Sequence, residues 1–210
     1  MNSRTEKISL QGAAGVIEAL RDVPPVEMPS RGVVVIAHPH PLFGGTMDNK
    51  VVQTMARGFV ACGWTAVRFN FRGVGASDGT HDEGRGETED MQAVVRQVAP
   101  SGPLALAGFS FGAFVASRAA EPLWATRGIS KLVLIGTAAS RFAVATLPID
   151  AQDCTLVVHG EQDDTVPLAA VMDWARPQSL PVTVIPGAGH FFHGQLPLLK
   201  SLVARHLGAN

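Results

Sequence analysis

The stretch Leu104-Ala-Leu-Ala-Gly108-Phe-Ser110-Phe-Gly112-Ala-Phe-Val-Ala-Ser-Arg-Ala-Ala120 decides the fold. Residues 104–109 form an uninterrupted apolar run, as a strand buried on both faces of a sheet requires. Residues 111–120 are small and apolar and read as a helix. A strand that passes at once into a helix through Gly108-Phe-Ser-Phe-Gly112 has the G-x-S-x-G form of a nucleophile elbow. Such a turn is tight and strained, so its neighbours must lack bulk, and glycine meets that need. Ser110 Oγ is then expected above the sheet edge. The Phe111 N–H is expected to point into the same space, with the helix N-terminus adding partial positive charge for an oxyanion.

The same alternation extends in both directions. Residues 32–37, 64–71, 131–136, 155–159 and 182–185 are short apolar, β-branched runs that read as strands. Helical spacing separates them: 49–61 places Val51, Val52, Met55, Phe59 and Val60 on one face. The stretch 87–98, with Thr88 as a cap, does the same with Met91, Val94, Val95 and Val98. Further helices are expected around 168–175 and over 197–207. Residues 7–10 and 16–20, divided by Gly12-Ala-Ala-Gly15, read as an opening antiparallel hairpin. The expected architecture is a single α/β domain over 1–210, a doubly wound, mostly parallel sheet of about eight strands with helices on both faces. Ligands bind such sheets at the carboxyl ends of the strands, so the loops that follow strands are where chemistry belongs.

Composition narrows the function classes. Of 210 residues 46% are hydrophobic and only 17% charged, and 17 Lys and Arg nearly balance 18 Asp and Glu. That balance gives no electrostatic reason to expect nucleic acid or an anionic membrane as partner. The apolar runs, such as 132–135, are far shorter than the roughly 20 residues of a bilayer crossing. The two cysteines, Cys62 and Cys154, form no C-x-x-C pair, so neither a zinc site nor a redox dithiol is signalled. Buried thiols in a reducing cytoplasm are the expectation. The opening MNSRTEKISLQG is polar and unlike a signal peptide.

A serine hydroxyl is a poor nucleophile without a base, so Ser110 demands partners. Strand 155–159 is followed by Gly160-Glu-Gln-Asp-Asp-Thr-Val-Pro167, where an orienting carboxylate belongs in the chain order Ser, Asp, His. Spacing does not separate Asp163 from Asp164, with Glu161 a weaker third; one of the aspartates is expected to serve as an Asx-turn or capping residue instead. The last strand ends in Pro186-Gly-Ala-Gly-His190-Phe-Phe-His-Gly194. A glycine hinge precedes His190 but not His193. Among the histidines, which also include His38, His40 and His81, His190 alone lies directly after the last strand, where the chain order requires the base.

An acyl-transfer site also needs a second backbone N–H, from the loop after strand 32–37, which reads His38-Pro-His-Pro-Leu-Phe-Gly-Gly45. Pro39 and Pro41 have no N–H to donate, which leaves His40, the first choice, or Leu42. The H-x-H pair invites a metal reading, but no further ligands stand nearby in the sequence, and no metal or other cofactor is expected. Leu42, Phe43, Phe109, Phe111, Phe191 and Phe192 gather around these loops and offer walls for an apolar acyl group, although each taken singly reads first as ordinary core packing.

Taken together, His38-Pro-His-Pro-Leu-Phe-Gly-Gly45, Arg72-Gly-Val-Gly-Ala-Ser-Asp-Gly79, Gly108-Phe-Ser-Phe-Gly112 and His159-Gly…Asp163…Val166-Pro167 with Gly189-His190 resemble the α/β-hydrolase superfamily. The resemblance is strongest to small bacterial serine carboxylesterases related in outline to dienelactone hydrolases. It implies Ser110 as nucleophile, His190 as base and, through the pattern G-x-x-D-x-x-V-P, Asp163 rather than Asp164 as acid. It assigns no catalytic role to Ser77 or Asp78, whose loop resembles a structural turn of the family. Many members insert a helical cap after the strand equivalent to 131–136. Here 137–153 has room only for a loop and a turn or two of helix, so an open site without a cap domain is expected. The implied activity is hydrolysis of small carboxylic esters of short or medium acyl chain. Amide, thioester or peptide hydrolysis, acyl transfer, or a non-catalytic ligand-binding protein on the same scaffold are the alternatives.

Overall fold

A computed structural model describes residues 5–208. Chain order is β1 (Thr5–Gly12), β2 (Gly15–Asp22), β3 (Gly32–Ala37), α1 (Lys50–Ala61), β4 (Trp64–Phe69), α2 (Arg85–Val98), β5 (Leu104–Phe109), α3 (Phe111–Thr126) and β6 (Lys131–Ile135). It closes with β7 (Thr155–Gly160), α4 (Leu168–Ala175), β8 (Val182–Ile185) and α5 (Leu196–Gly208). One eight-stranded sheet has the order β1-β2-β4-β3-β5-β6-β7-β8. The hairpin β1–β2 and the pair β2–β4 are antiparallel, and every other pairing is parallel.

Parallel strands need crossovers, and the helices supply them on both faces. On one face α1 and α5 bury Val51, Val52, Met55, Phe59, Leu199, Val203 and Leu207 against Val34, Ile36, Ala105, Val133 and Val158. On the other, α2, α3 and α4 pack Met91, Val94, Ala116, Ala120 and Val171 onto Val35, Leu106, Leu134 and Val157. The central strand β5 is buried along its whole length, as its unbroken apolar run requires. It ends at the middle of the sheet rim, with β3 and β6 as neighbours.

Several boundaries differ from the sequence expectation, the hairpin strands β1 and β2 running on to Thr5–Gly12 and Gly15–Asp22. Helix α2 starts at Arg85, so Thr88 lies inside it and its Oγ1 donates to the Gly84 carbonyl at 2.6 Å. The earlier start comes from Glu87, whose buried carboxylate reaches back to accept the N–H groups of Gly84 (2.8 Å) and Asp82 (2.9 Å). Helix α3 runs on to Thr126 through Pro122. Strand β4 stops at Phe69, because Asn70 and Phe71 turn their backbone N–H groups to Glu18 and to the His38 ring. Between β6 and β7 lies loop followed by a short 3-10 segment, Ile149–Cys154, and no cap.

Candidate active site

Ser110 joins β5 to α3 with φ 57° and ψ −116°, a left-handed φ that non-glycine residues rarely adopt. Holding it there costs about 1–3 kcal/mol, which the packed strand–helix unit around it must offset. Gly112 shows why the neighbours must lack bulk: a Cβ there would stand 2.3 Å from the Ala37 carbonyl oxygen and 2.5 Å from that of His38. The end of β3 therefore presses directly on the elbow.

Ser110 Oγ lies 2.9 Å from His190 Nε2, and His190 Nδ1 lies 2.6 Å from Asp163 Oδ2. All three residues are buried. The imidazole rests on the Phe109 ring (centroids 4.9 Å), and the fully buried Phe192 anchors its loop in the α1–α5 core. The acid and base loops are tied to one another: the Gln162 N–H donates to the Ala188 carbonyl at 2.9 Å and the Glu161 N–H to that of Ile185 at 3.0 Å. Gly160 permits this, since a Cβ there would stand 2.4 Å from the Ala188 carbonyl oxygen.

Asp163 carries both of the roles that the sequence divides between two aspartates. Its Oδ1 accepts the N–H groups of Val166 (2.7 Å) and Thr165 (3.0 Å), closing the turn, while Oδ2 faces His190. Asp164 is exposed and meets only the Thr165 hydroxyl, at 3.3 Å. Burial raises the Asp163 carboxyl, but the hydrogen bonds from His190 and Val166 outweigh it and leave the group below its ordinary value. It stays ionised at neutral pH. Glu161 accepts from the Gly187 N–H at 2.9 Å, away from the imidazole.

The loop after β3 lies across the elbow. His40 packs its ring on Phe111 (centroids 4.8 Å) and on His81 (4.8 Å), and its Nδ1 accepts the Leu42 N–H at 3.3 Å. Burial, with His81 nearby, lowers the His40 imidazole from its ordinary value. The Leu42 N–H is thus engaged within the loop. Phe111 opens α3, where the first N–H groups have no acceptor inside the helix. His38 is a fixed strut: its Nδ1 donates to the Pro39 carbonyl at 2.6 Å and its Nε2 accepts the Phe71 N–H at 3.0 Å. Burial pushes this imidazole down to about 4.

Among the described residues none of the other candidates is hydrogen-bonded to the Ser110 hydroxyl. His193 is exposed, beside the Phe191 ring. His81 is held by the buried Glu87 at 2.9 Å. Ser77 and Asp78 serve the hairpin: Ser77 Oγ accepts the Glu18 N–H and donates to the Asn70 carbonyl, and Asp78 accepts the Val16 N–H. Of the six apolar residues flagged around the loops, Phe109, Phe111 and Phe192 are core, whereas Leu42, Phe43 and Phe191 are exposed at the rim. Phe142 is an addition. It stacks on Phe114 at 4.8 Å and meets Phe111 at 5.1 Å from the irregular loop after β6, where no periodicity marks it. Cys62 and Cys154 are unpaired. Among the described residues no helix is long and apolar enough to cross a membrane.

A strained serine between a central strand and a helix, under an imidazole from the far end of an eight-stranded, mostly parallel sheet, defines an α/β hydrolase. A sequence model of the family described as serine aminopeptidase, S33, matches residues 28–143. XC6422 from Xanthomonas campestris, solved as an α/β serine hydrolase without lid, is 35% identical. It is covered for 95% of its length by 99% of this chain, with a TM-score of 0.86. An α/β serine hydrolase homologue from Coxiella burnetii is 38% identical over 96% of this chain and 97% of its own, at a TM-score of 0.82. Protein RP471 of Rickettsia prowazekii is 42% identical over 92 residues, which span 42% of this chain but only 39% of that relative. The chain belongs to the α/β-hydrolase superfamily, in its small bacterial branch without a lid.

Proposed function

We propose that the protein hydrolyses carboxylic esters of short or medium acyl chain through an acyl-enzyme on Ser110. The observation that carries this reading is the hydrogen-bonded series Asp163–His190–Ser110, with a nucleophile at φ 57° and a carboxylate that stays ionised.

In the proposed cycle His190 Nε2 takes the Ser110 proton as Oγ attacks the ester carbonyl, while Asp163 fixes the Nδ1–H tautomer and stabilises the imidazolium. The oxyanion is received by the backbone N–H groups of Phe111 and His40, each worth on the order of 3 kcal/mol. His40 is favoured over Leu42 because the Leu42 N–H already has an acceptor in the His40 ring. His190 returns the proton to the departing alcohol, then activates a water that releases the acid. Every step uses groups of this chain and needs no cofactor. The exposed Leu42, Phe43 and Phe191 offer apolar contact to a small ester that enters from open solvent.

Labelling by a fluorophosphonate and turnover of p-nitrophenyl butyrate test the reading. The wild type is expected to label and turn over, and Ser110→Ala to do neither. An unlabelled wild type, or a Ser110→Ala variant that turns over equally well, refutes it.

A further inference from the structure

His159 takes no part in the cycle above, yet it is fully buried at the end of β7, one residue before the acid loop. Its Nε2 lies 2.8 Å from the Val166 carbonyl oxygen and 3.5 Å from Asp163 Oδ2. Two acceptors face that nitrogen, so it carries the proton. Its Nδ1 is then a bare lone pair, and it is buried without a hydrogen-bond partner. An apolar side chain would fill this core position without the orphaned Nδ1, but it would leave the Val166 carbonyl without its donor. The fold thus bears a cost to keep an N–H at this point.

What that N–H does follows from its two acceptors. Val166 is the residue whose own N–H grips Asp163 Oδ1 at 2.7 Å. By holding the Val166 carbonyl, His159 fixes the far side of the turn that orients the carboxylate. Its longer approach to Oδ2, at 3.5 Å, sets the ring N–H dipole beside the same oxygen that meets His190. We infer that His159 is a positioning residue, whose Nε2–H holds the Val166 turn and sets its dipole beside Asp163 Oδ2, so that the carboxylate is aimed at His190 with its charge partly drawn away. This rests on the reading that Asp163 orients His190. Asp163 and His190 are the titratable groups that act on His159, and His159 and His190 those that act on Asp163. Burial keeps His159 neutral, its imidazole lowered despite the Val166 carbonyl and Asp163.

The sign of the effect is fixed by electrostatics. Without the His159 N–H, more of the Asp163 charge falls on His190, its imidazolium is better stabilised, and the neutral base appears only at higher pH. The experiment is the pH profile of kcat/KM for p-nitrophenyl butyrate in wild type, His159→Leu, His159→Gln and Ser110→Ala. His159→Leu is expected to raise the acidic limb by about 0.5 pH unit. It is also expected to lower kcat roughly tenfold with KM little changed. His159→Gln, whose amide N–H reaches as far as Nε2, restores the limb and most of kcat. An acidic limb of His159→Leu that coincides with wild type, or a Gln variant no better than Leu, overturns the inference while leaving the triad intact. Turnover by Ser110→Ala instead overturns the underlying hydrolase reading. Should His159→Leu fail to fold, His159→Asn, too short to reach either acceptor, takes its place against Gln with the same two outcomes.

Discussion

His38 offers a direct test of how the site loop is held. Its ring bridges the ends of β3 and β4, donating through Nδ1 and accepting through Nε2, both to backbone groups. A proton added at Nε2 would face the Phe71 N–H, donor against donor, in a fully buried place. The folded-state value of about 4 lies below the ordinary 6.5, so the neutral form is the one the fold favours. Its stabilising contribution is therefore complete above pH 6.5 and is lost as pH falls from there towards 4. At 1.36 kcal/mol per unit the whole gap is worth about 3 kcal/mol, of which about 2 kcal/mol is lost between pH 7 and pH 5. Urea unfolding at pH 7, 6 and 5 measures it, with His38→Gln as the reference, since its amide oxygen can accept the Phe71 N–H and does not titrate. Other histidines with lowered values, the buried His159 and the half-buried His206 among them, act in the same direction but are common to both proteins. The wild type is expected to lose about 2 kcal/mol more than the variant over that range. Equal losses would refute the argument.

Three further outcomes are expected. Ser110→Gly relieves the left-handed φ of 57° and raises unfolding free energy by about 1 kcal/mol in urea while abolishing fluorophosphonate labelling; unchanged or lower stability would contradict the strain. Gly112→Ala drives a Cβ to 2.3 Å from the Ala37 carbonyl oxygen, and calorimetry is expected to read a loss of roughly 1–3 kcal/mol together with reduced turnover. His190→Ala lowers kcat for p-nitrophenyl butyrate by about 10⁴, whereas His193→Ala, at an exposed ring, leaves it nearly unchanged; equal losses would remove the distinction between them.

Much of the fold is written in periodicity. The buried run of β5, the hairpin around Gly12 and Gly15, and the amphipathic α1 all follow from local pattern, because each buries a face that the pattern already defines. What local pattern does not carry is contact at a distance. Helix α2 begins early because Glu87 reaches back across a left-handed Gly84, and a Thr at 88 resembles a cap from sequence alone. Asp163 and Asp164 are indistinguishable by spacing; only the turn that points one into the protein and the other into solvent separates them. The family pattern selects the buried one. His159 is present in that pattern without a role, since an orphaned nitrogen is visible only once its surroundings are known. Phe142 sits in irregular chain, so nothing local announces its place beside Phe111.

The short connection between β6 and β7 has a kinetic consequence. With no hinged cover to swing shut, the relay of acceptor and donor stands assembled before any guest arrives. Turnover should accordingly begin without a lag and rise smoothly with substrate concentration, with no jump where a substrate passes its solubility limit. On the proposed function, discrimination among substrates then falls to the loops at the sheet rim rather than to a closing motion.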